Sequence, residues 1–333
     1  MTNKETKILK IDDKTLDYAK NLILNEELVA FPTETVYGLG ALATSNDAVL
    51  KTFTVKGRPQ DNPLIVHVHT NYDLSTLVEI EHDYVYKLIK AFMPGPLTLV
   101  LKSKGAVSPF VTCGLDTVAI RMPSHKDCQL FLKYLNLPIS APSANLSKHT
   151  SPVTANHVFE DFNGKIDLIL DGGKSEGGIE STVLDVTKEI PVILRSGLIT
   201  AQMIKDVVGD CKYANEQTND KVRSPGTKYN HYMPKCQTAL FKRSELINAQ
   251  KLYDEYLSKG KKPCFLCDNL IENKLNGDKL LLGSTAKEIA SNLYLMLHKA
   301  ETICDILIAI EVETGDEIDY SVMNRMSKAC KTL

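Results

Sequence analysis

Basic and hydroxyl side chains recur where this chain enters or leaves an apolar segment. Lys56 and Arg58 stand two residues apart in a turn rich in Gly, Pro and Asn, directly before the apolar run 64–68. Arg offers a planar fork for carboxylate or phosphate, and Lys offers a point charge. An isolated pair of this kind more often belongs to a solvated basic turn than to a binding site. The other candidate residues of the chain are needed to choose between these two interpretations.

Further candidates share that position at the ends of apolar segments. Arg121 and Arg195 each end a predicted strand, and His67 lies on another. Hydroxyl and amide side chains occupy the loop after one strand and the start of a later one, namely Ser143, Asn145, Ser147, Ser151, Ser181 and Thr182. Ligands gather at such strand ends in open α/β sheets. The plain alternatives are a surface salt bridge for Arg121 and a hydrogen-bonded core histidine for His67.

Motifs of covalent and metal catalysis are absent from the sequence. There is no GxSxG, no GxxxxGK[ST] and no HExxH. Of the eight Cys, only Cys264 and Cys267 have CxxC spacing, and no second CxxC completes a zinc site. They lie in an apolar run and are predicted to pack in the core. The chemistry is therefore expected to depend on positioning and electrostatics, with no covalent enzyme intermediate and no obvious general base.

Composition narrows the class of protein. A chain of 333 residues is long enough for two domains, and a net charge of −2 excludes a globally basic nucleic-acid binder. No signal segment and no run of about 20 apolar residues is present. Unpaired thiols fit a reducing compartment. We expect a cytoplasmic protein with no membrane contact.

The order of predicted elements indicates two α/β domains. Strands and helices alternate irregularly over residues 8–207, which predicts a mixed sheet, with helices that include 71–77 and a hydroxyl-rich loop over Thr33–Gly40. Residues 208–236 are polar and irregular and read as a linker. Regular alternation over 237–333 predicts a small Rossmann-like domain, although the missing GxGxxG gives no support for dinucleotide binding.

Several motifs in register resemble those of the YrdC/Sua-five family. They are FPTETVYGLG at 31–40, KGRPQDNPL at 56–64, PGPLT at 94–98, RMP at 121–123, SAPSAN at 140–145 and IESTV at 179–183. The segment SPGTKYNHYMP at 224–234 resembles the linker of the longer, two-domain type. The resemblance covers nearly the whole chain. It implies an N-terminal YrdC-like mixed twisted sheet with helices, and a small C-terminal Rossmann-like α/β domain.

The family resemblance also implies an activity, that of an L-threonylcarbamoyladenylate synthase. Such an enzyme condenses L-threonine, bicarbonate and ATP, with Mg²⁺ accompanying the ATP, into threonylcarbamoyl-AMP and pyrophosphate. The product would be handed to the tRNA threonylcarbamoyl transferase machinery for N6-threonylcarbamoylation of adenosine 37. Whether the chain also makes a weak contact with tRNA is left open.

Site residues are carried over by motif. The residues expected to bind L-threonine are Thr35, His67, Arg121 and Ser181, with Ala141 contributing its backbone. Those expected to bind ATP are Arg58, Asn62, Thr117, Ser143, Ser151, Arg195, Tyr229 and His231. Lys56, Arg58, Ser143 and Asn145 form the family's KxR…SxN signature and are the expected catalytic residues. Arg58 is expected to be exposed and dispensable for folding. In the linker, Thr227 and Asn230 replace the family's usual Met and Arg, which would remove a phosphate contact if that Arg makes one.

Three alternatives remain open at this point. The first is a module of the same fold that binds tRNA or double-stranded RNA. The second is carbamoyl transfer in hydrogenase maturation, although those proteins carry paired CxxC zinc fingers and an acylphosphatase-like segment that this sequence lacks. The third concerns the C-terminal domain, which either binds a small regulatory ligand or anchors the linker as a lid over the nucleotide.

Overall fold

The computed structural model describes residues 4–214 and 232–331. The predictions for Tyr229 and His231, and those for Thr227 and Asn230, lie outside the described residues. The chain divides into two compact units. The first holds most of 4–214. The second holds 232–331 together with two short segments of the N-terminal sequence, Lys148–Ser151 and Gly177–Ile179.

One large sheet forms the first unit. Its twelve described strands are β1 (Lys7–Lys10), β2 (Val29–Phe31), β3 (Gly38–Leu42), β4 (Ile65–His67), β5 (Val78–Glu79), β6 (Leu97–Ser103), β7 (Thr117–Arg121), β8 (Ile139–Ser140), β9 (Leu168–Asp171), β10 (Thr182–Asp185), β11 (Val192–Arg195) and β12 (Lys212–Tyr213). They pair in the order β1-β9-β2-β3-β8-β4-β7-β6-β10-β11-β12, and β5 pairs with β6. The sheet contains both parallel and antiparallel pairs, which confirms the predicted mixed sheet.

Helices connect these strands and cover the sheet. They are α1 (Asp13–Leu24), α2 (Asn46–Lys56), α3 (Tyr84–Phe92), α4 (Pro109–Thr112), α5 (Lys126–Leu135), α6 (Ala155–Phe162) and α7 (Ala201–Val208). Side chains of Asp12, Ser45, Thr154 and Thr200 accept a backbone N–H in the first turn of α1, α2, α6 and α7. Such caps satisfy amide donors that the helix itself cannot pair. The sequence therefore fixes where these helices begin.

Two sequence predictions about the first unit are wrong. The glycine-rich end of the predicted loop Thr33–Gly40 is part of β3, which pairs with both β2 and β8. Glycine suits that strand because a Cβ at Gly40 would lie 2.9 Å from the Phe31 ring. The predicted helix over 71–77 is only a 3₁₀ turn at Leu74–Thr76.

The second unit contains a four-stranded parallel sheet. Its strands are β13 (Gln237–Phe241), β14 (Pro263–Cys267), β15 (Lys279–Leu281) and β16 (Ile306–Ile310), in the order β13-β16-β14-β15. Its helices are α8 (Leu246–Ser258), α9 (Ala286–Ile303) and α10 (Ile318–Ala329). This arrangement confirms the predicted Rossmann-like domain. Cys264 and Cys267 are free and buried in β14, as predicted for core packing. Within 4–214 and 232–331, no helix is both long and apolar enough to cross a membrane.

Candidate active site

Strand register brings several of the candidate side chains together in the first unit. His67 at the end of β4 pairs with Arg121 at the end of β7. Arg121 in turn pairs with Thr98 near the start of β6. Thr182 at the start of β10 pairs with Leu97, so that Ser181 reaches the same place. Four strands distant in sequence therefore deliver polar groups to one site.

Arg121 is a buried cation, so the interpretation as a surface salt bridge is wrong. Its side chain is 4% exposed. Its Nε donates to the Gly95 carbonyl at 3.4 Å, and the Gly95 amide donates to the Met122 carbonyl at 2.8 Å. Its Nη2 lies 2.9 Å from Oε1 of Glu34. The guanidinium is thus fixed in place by the turn Pro94–Pro96 and is paired with a carboxylate.

His67 is neutral and has a defined tautomer. Burial, and then the charge of Arg121, lower the pKa of His67 to about 3. Its Nδ1 lies 3.2 Å from the Ile65 carbonyl, which can only accept, so Nδ1 carries the proton. The Phe31 ring meets the imidazole edge-on at 5.8 Å. The Ile139 backbone also hydrogen-bonds the imidazole, so the neutral ring is held by the backbone on both sides of its strand pairing.

Thr35 also presents an acceptor. The Thr33 hydroxyl donates to the Val36 carbonyl at 2.6 Å, so it must accept from the Thr35 hydroxyl, which lies 2.9 Å away. Thr35 is fully buried, and its hydroxyl proton is used within the loop. The remaining lone pair can accept a hydrogen bond but the group has no proton left to donate.

Ser181 is held by a buried arginine. Nε and Nη2 of Arg195 donate to the Ser181 carbonyl at 3.1 and 3.0 Å, and Nη2 also lies 3.2 Å from the Ser181 hydroxyl. That hydroxyl lies 2.8 Å from the hydroxyl of Thr98. Arg195 was expected to bind the nucleotide, and the structure places it against an expected threonine-binding residue. It orients Ser181 whatever else it contacts.

Gly197 permits this arrangement by its lack of a side chain. A Cβ there would lie 2.4 Å from the Thr182 amide nitrogen and 2.7 Å from the Glu180 carbonyl oxygen. Both neighbours are backbone atoms and cannot move away cheaply. The close approach is reinforced because the Thr182 hydroxyl donates to the Ile199 carbonyl at 2.7 Å.

Lys56 is buried, 3% exposed, and binds protein rather than solvent. Its Nζ donates to the Ser143 carbonyl at 2.5 Å and to the Asn145 carbonyl. Burial, with the nearby charge of Arg58, lowers the pKa of the Lys56 amine well below its ordinary value. The solvated-turn interpretation is thus wrong for Lys56, which clamps the loop carrying Ser143 and Asn145. Within that loop the Ser143 hydroxyl donates to Oδ1 of Asn145 at 2.5 Å.

Arg58 is half-buried and shapes the turn that follows it. Its Nη2 donates to the carbonyls of Asn62 and Pro63 at 3.1 and 3.3 Å. The expectation of an exposed cation without a structural role is therefore wrong. Asn62 is 1% exposed, and its Oδ1 is buried without a hydrogen-bond partner. A buried acceptor in this condition is a ready contact for a ligand donor.

Three expected site residues remain, of which Ala141 lies beside the strand that carries His67. Thr117 begins β7, so about four residue steps, or ~13 Å, separate it from Arg121 at the other end. Ser151 falls in the second unit, where it is 1% exposed and its carbonyl lies 3.2 Å from Nε2 of His298. The Ala141 amide donates to the Ile65 carbonyl at 2.9 Å, which places Ala141 beside β4.

Three residues of the site were not predicted, although all lie in motifs already singled out. They are Glu34 and Thr33 beside Thr35, and Thr98 beside Ser181. No local sequence pattern predicted a role for Glu34, because its role depends on the ion pair with Arg121, a residue 87 positions away. Thr98 is revealed only by the pairing of β6 with β10.

Fold and site together define an α/β protein with a buried site of mixed charge for a small polar ligand. A family model described as "Telomere recombination" (Sua5, YciO and YrdC) matches residues 21–197, and one described as "Threonylcarbamoyl-AMP synthase, C-terminal domain" matches residues 199–330. The chain therefore belongs to the Sua5/YciO/YrdC family, in its two-domain form.

Similar proteins share nearly the whole length of the chain. The threonylcarbamoyl-AMP synthases of Bacillus subtilis and Pyrococcus abyssi are 42% and 39% identical to it, each over 96% of this chain and over 94% and 95% of their own. The crystal structure of P. abyssi Sua5 complexed with L-threonine superposes with a TM-score of 0.87 at 38% identity, over 98% of this chain and 96% of that one.

Proposed function

We propose that this chain is a threonylcarbamoyl-AMP synthase, a nucleotidyltransferase that condenses L-threonine, bicarbonate and ATP into threonylcarbamoyl-AMP and pyrophosphate. The observation that carries the proposal is its 39–42% identity to synthases over at least 94% of their length, with both domains matched. The geometry of the site supports it, because a buried Arg121 beside neutral acceptors suits an amino acid that bears a hydroxyl.

On the threonine side, each group has a distinct part. Arg121, fixed by Gly95, faces the substrate carboxylate with a planar set of donors. The oxygen of Thr35 accepts a hydrogen bond from the substrate hydroxyl or ammonium, and the neutral imidazole of His67 lies beside Arg121. Ser181 is oriented by Arg195. Buried polar groups of the site would then hydrogen-bond the hydroxyl of the threonine side chain. A substrate without that hydroxyl would leave these groups unpaired.

On the nucleotide side, Arg58 stabilises the charge that builds on the α-phosphate and on the departing pyrophosphate. Ser143 and Asn145 contact the nucleotide from a loop whose backbone carbonyls accept hydrogen bonds from the Lys56 amine. Lys56 therefore positions the loop. Asn62 offers its unpartnered Oδ1 to a nucleotide donor.

Mg²⁺ would arrive with ATP. Among the described residues there is no group of three or more His, Cys, Asp or Glu that could hold a metal ion. Mg²⁺ usually keeps several waters and is bound through substrate phosphates. When bound, it neutralises phosphate charge. The polar groups that fix the nucleotide around it are those of Arg58, Asn62 and Ser143.

Chemistry would proceed in two steps. The threonine amine and bicarbonate give N-carboxythreonine, whose carboxylate then attacks the α-phosphorus of ATP and displaces pyrophosphate. The product is a reactive mixed anhydride that a tRNA threonylcarbamoyl transferase would use for adenosine 37. Such a role places the protein in the cytoplasm, where tRNA, ATP and threonine are present together.

The test is pyrophosphate release from ATP by the full chain, with L-threonine and bicarbonate supplied together or omitted singly, and identification of threonylcarbamoyl-AMP by mass spectrometry. We expect release only when both are present. Release that ignores threonine would reject the proposal. Salt-sensitive tRNA binding without any pyrophosphate release would instead favour the RNA-binding alternative.

A further inference from the structure

Glu34 is a buried carboxylate whose hydrogen-bonding capacity is unused. Its side chain is 12% exposed, and both of its oxygens are shielded from solvent without a hydrogen-bond partner. Oε1 lies 2.9 Å from Nη2 of Arg121, but the two groups are not aligned as a hydrogen bond, and that Nη2 also has no such partner. Buried carboxylates normally accept several hydrogen bonds, so this one is incomplete without a donor.

The surroundings of Glu34 specify the kind of donor. Arg121 supplies a positive charge, which suits a substrate carboxylate. The hydroxyl of the neighbouring Thr35 is an acceptor because its proton is donated to Thr33, and the imidazole of His67, paired in register with Arg121, is neutral. A positive group with several N–H donors would satisfy the two unpartnered oxygens of Glu34. The α-ammonium of an amino acid zwitterion is that group.

We propose that Glu34 binds the α-ammonium of threonine and takes the proton that this group must lose before it can react. The inference rests on the proposed synthase function. It supplies the general base that the sequence did not reveal, and it makes the pair Glu34–Arg121 a matched receptor for the two charges of the zwitterion.

The proton balance of the step is as follows. The ammonium transfers one proton to the Glu34 carboxylate, and the freed lone pair forms a bond to the carbon of bicarbonate. The bond from that carbon to its hydroxyl breaks, and the leaving hydroxide takes the second amine proton and departs as water. N-Carboxythreonine remains, and protonated Glu34 returns its proton to solvent. The later attack on the α-phosphorus of ATP involves no ammonium and therefore makes no demand on Glu34.

This separation provides the experiment. Forward synthesis, followed as pyrophosphate release with threonine, bicarbonate and ATP, needs Glu34. The reverse adenylyl step, in which threonylcarbamoyl-AMP and pyrophosphate yield ATP, does not need it, because the carbamate nitrogen carries no charge. In E34Q, which keeps the shape and removes the charge, we expect forward kcat to fall by about 10²-fold or more, while ATP formation stays within about threefold of the wild type. E34D should recover part of the forward rate.

A matched control is E27Q, which removes another paired carboxylate, one whose partners are Lys4 and Lys51, the latter at 2.9 Å. It should leave both reactions unchanged. Equal losses of forward and reverse rates in E34Q would show a structural role and overturn the proposal, as would an unchanged forward rate, a loss confined to KM, or tighter threonine binding. Wild-type protein without threonine-dependent release would instead refute the synthase function itself.

A second measurement on wild-type protein covers the case in which E34Q does not fold. The ligand 2,3-dihydroxybutanoate keeps the carboxylate and hydroxyl of threonine but replaces the ammonium by a hydroxyl. Calorimetric titration should show threonine binding at least tenfold more tightly than this analogue. Equal affinities would mean that the ammonium has no charged partner, and would overturn the assignment of Glu34.

Discussion

The substitution Lys56→Met tests whether Lys56 holds a loop in place or contacts phosphate. Methionine has nearly the same length and removes only the amine, so little cavity is created. The change removes the amine that donates to the Ser143 and Asn145 carbonyls, while the Ser143 carbonyl keeps its hydrogen bond from the Asn145 amide at 3.0 Å. The loop that carries both residues should loosen.

The cost can be worked from these two hydrogen bonds. A hydrogen bond from a charged group contributes about 1.5–3 kcal/mol, so the loss of two comes to about 3–6 kcal/mol. Removing a buried amine returns part of that, since its desolvation no longer opposes folding. We expect a net loss of about 2–3 kcal/mol in the free energy of unfolding.

Urea unfolding followed by circular dichroism measures this loss, and the KM for ATP in the pyrophosphate assay should rise with it. Arg58→Met is the comparison, because its two bonds to the Asn62 and Pro63 carbonyls belong to a half-buried turn. It should lose only about 1 kcal/mol of stability but nearly all activity. A Lys56→Met protein as stable as the wild type, yet inactive, would refute the clamp and assign Lys56 to phosphate.

Three further predictions follow from buried contacts. The pKa of His67 is about 3 in the folded chain and 6.5 in the unfolded chain, so between these values the unfolded chain binds the extra proton and stability decreases as the pH is lowered. His67→Asn should remove a slope of about 1.4 kcal/mol per pH unit below pH 6.5, measured by denaturation at several pH values. Gly197→Ala places a Cβ 2.4 Å from the Thr182 amide nitrogen and should cost about 2–3 kcal/mol with a raised KM for threonine, whereas an unchanged melting temperature would contradict this packing. Asp268→Asn leaves Arg243 without its carboxylate in the second unit and should lower the free energy of unfolding by about 2–3 kcal/mol, with no effect expected if the pair were solvated.

Local patterns predicted most helices and strands of both units. The helix over 126–135 follows from its apolar periodicity, and α2 begins at a capping Ser45 and ends at Gly57 in a left-handed conformation. Strands such as Leu168–Asp171 follow from short apolar runs. These features depend on neighbours within a few residues, so the sequence specifies them directly.

Strand β3 shows where this reasoning fails. Its glycines resemble a turn, but they are needed because the Phe31 ring packs against that strand. Only the pairing of β3 with β2 and β8 makes this clear. Strand pairing, which includes the sequence-distant β8, outweighed the local preference of glycine for turns.

The site divides in the same way. Motifs in the sequence by themselves determined the family resemblance and named Thr35, Arg121 and Ser181 as members of one site. Tertiary structure alone decided that Lys56 is buried under a loop and that Glu34 meets Arg121. The physical reason is that burial and charge pairing depend on which strands are neighbours. The order β4-β7-β6-β10 brings β4 and β10, which are more than 100 residues apart, into one sheet, and no local pattern encodes it.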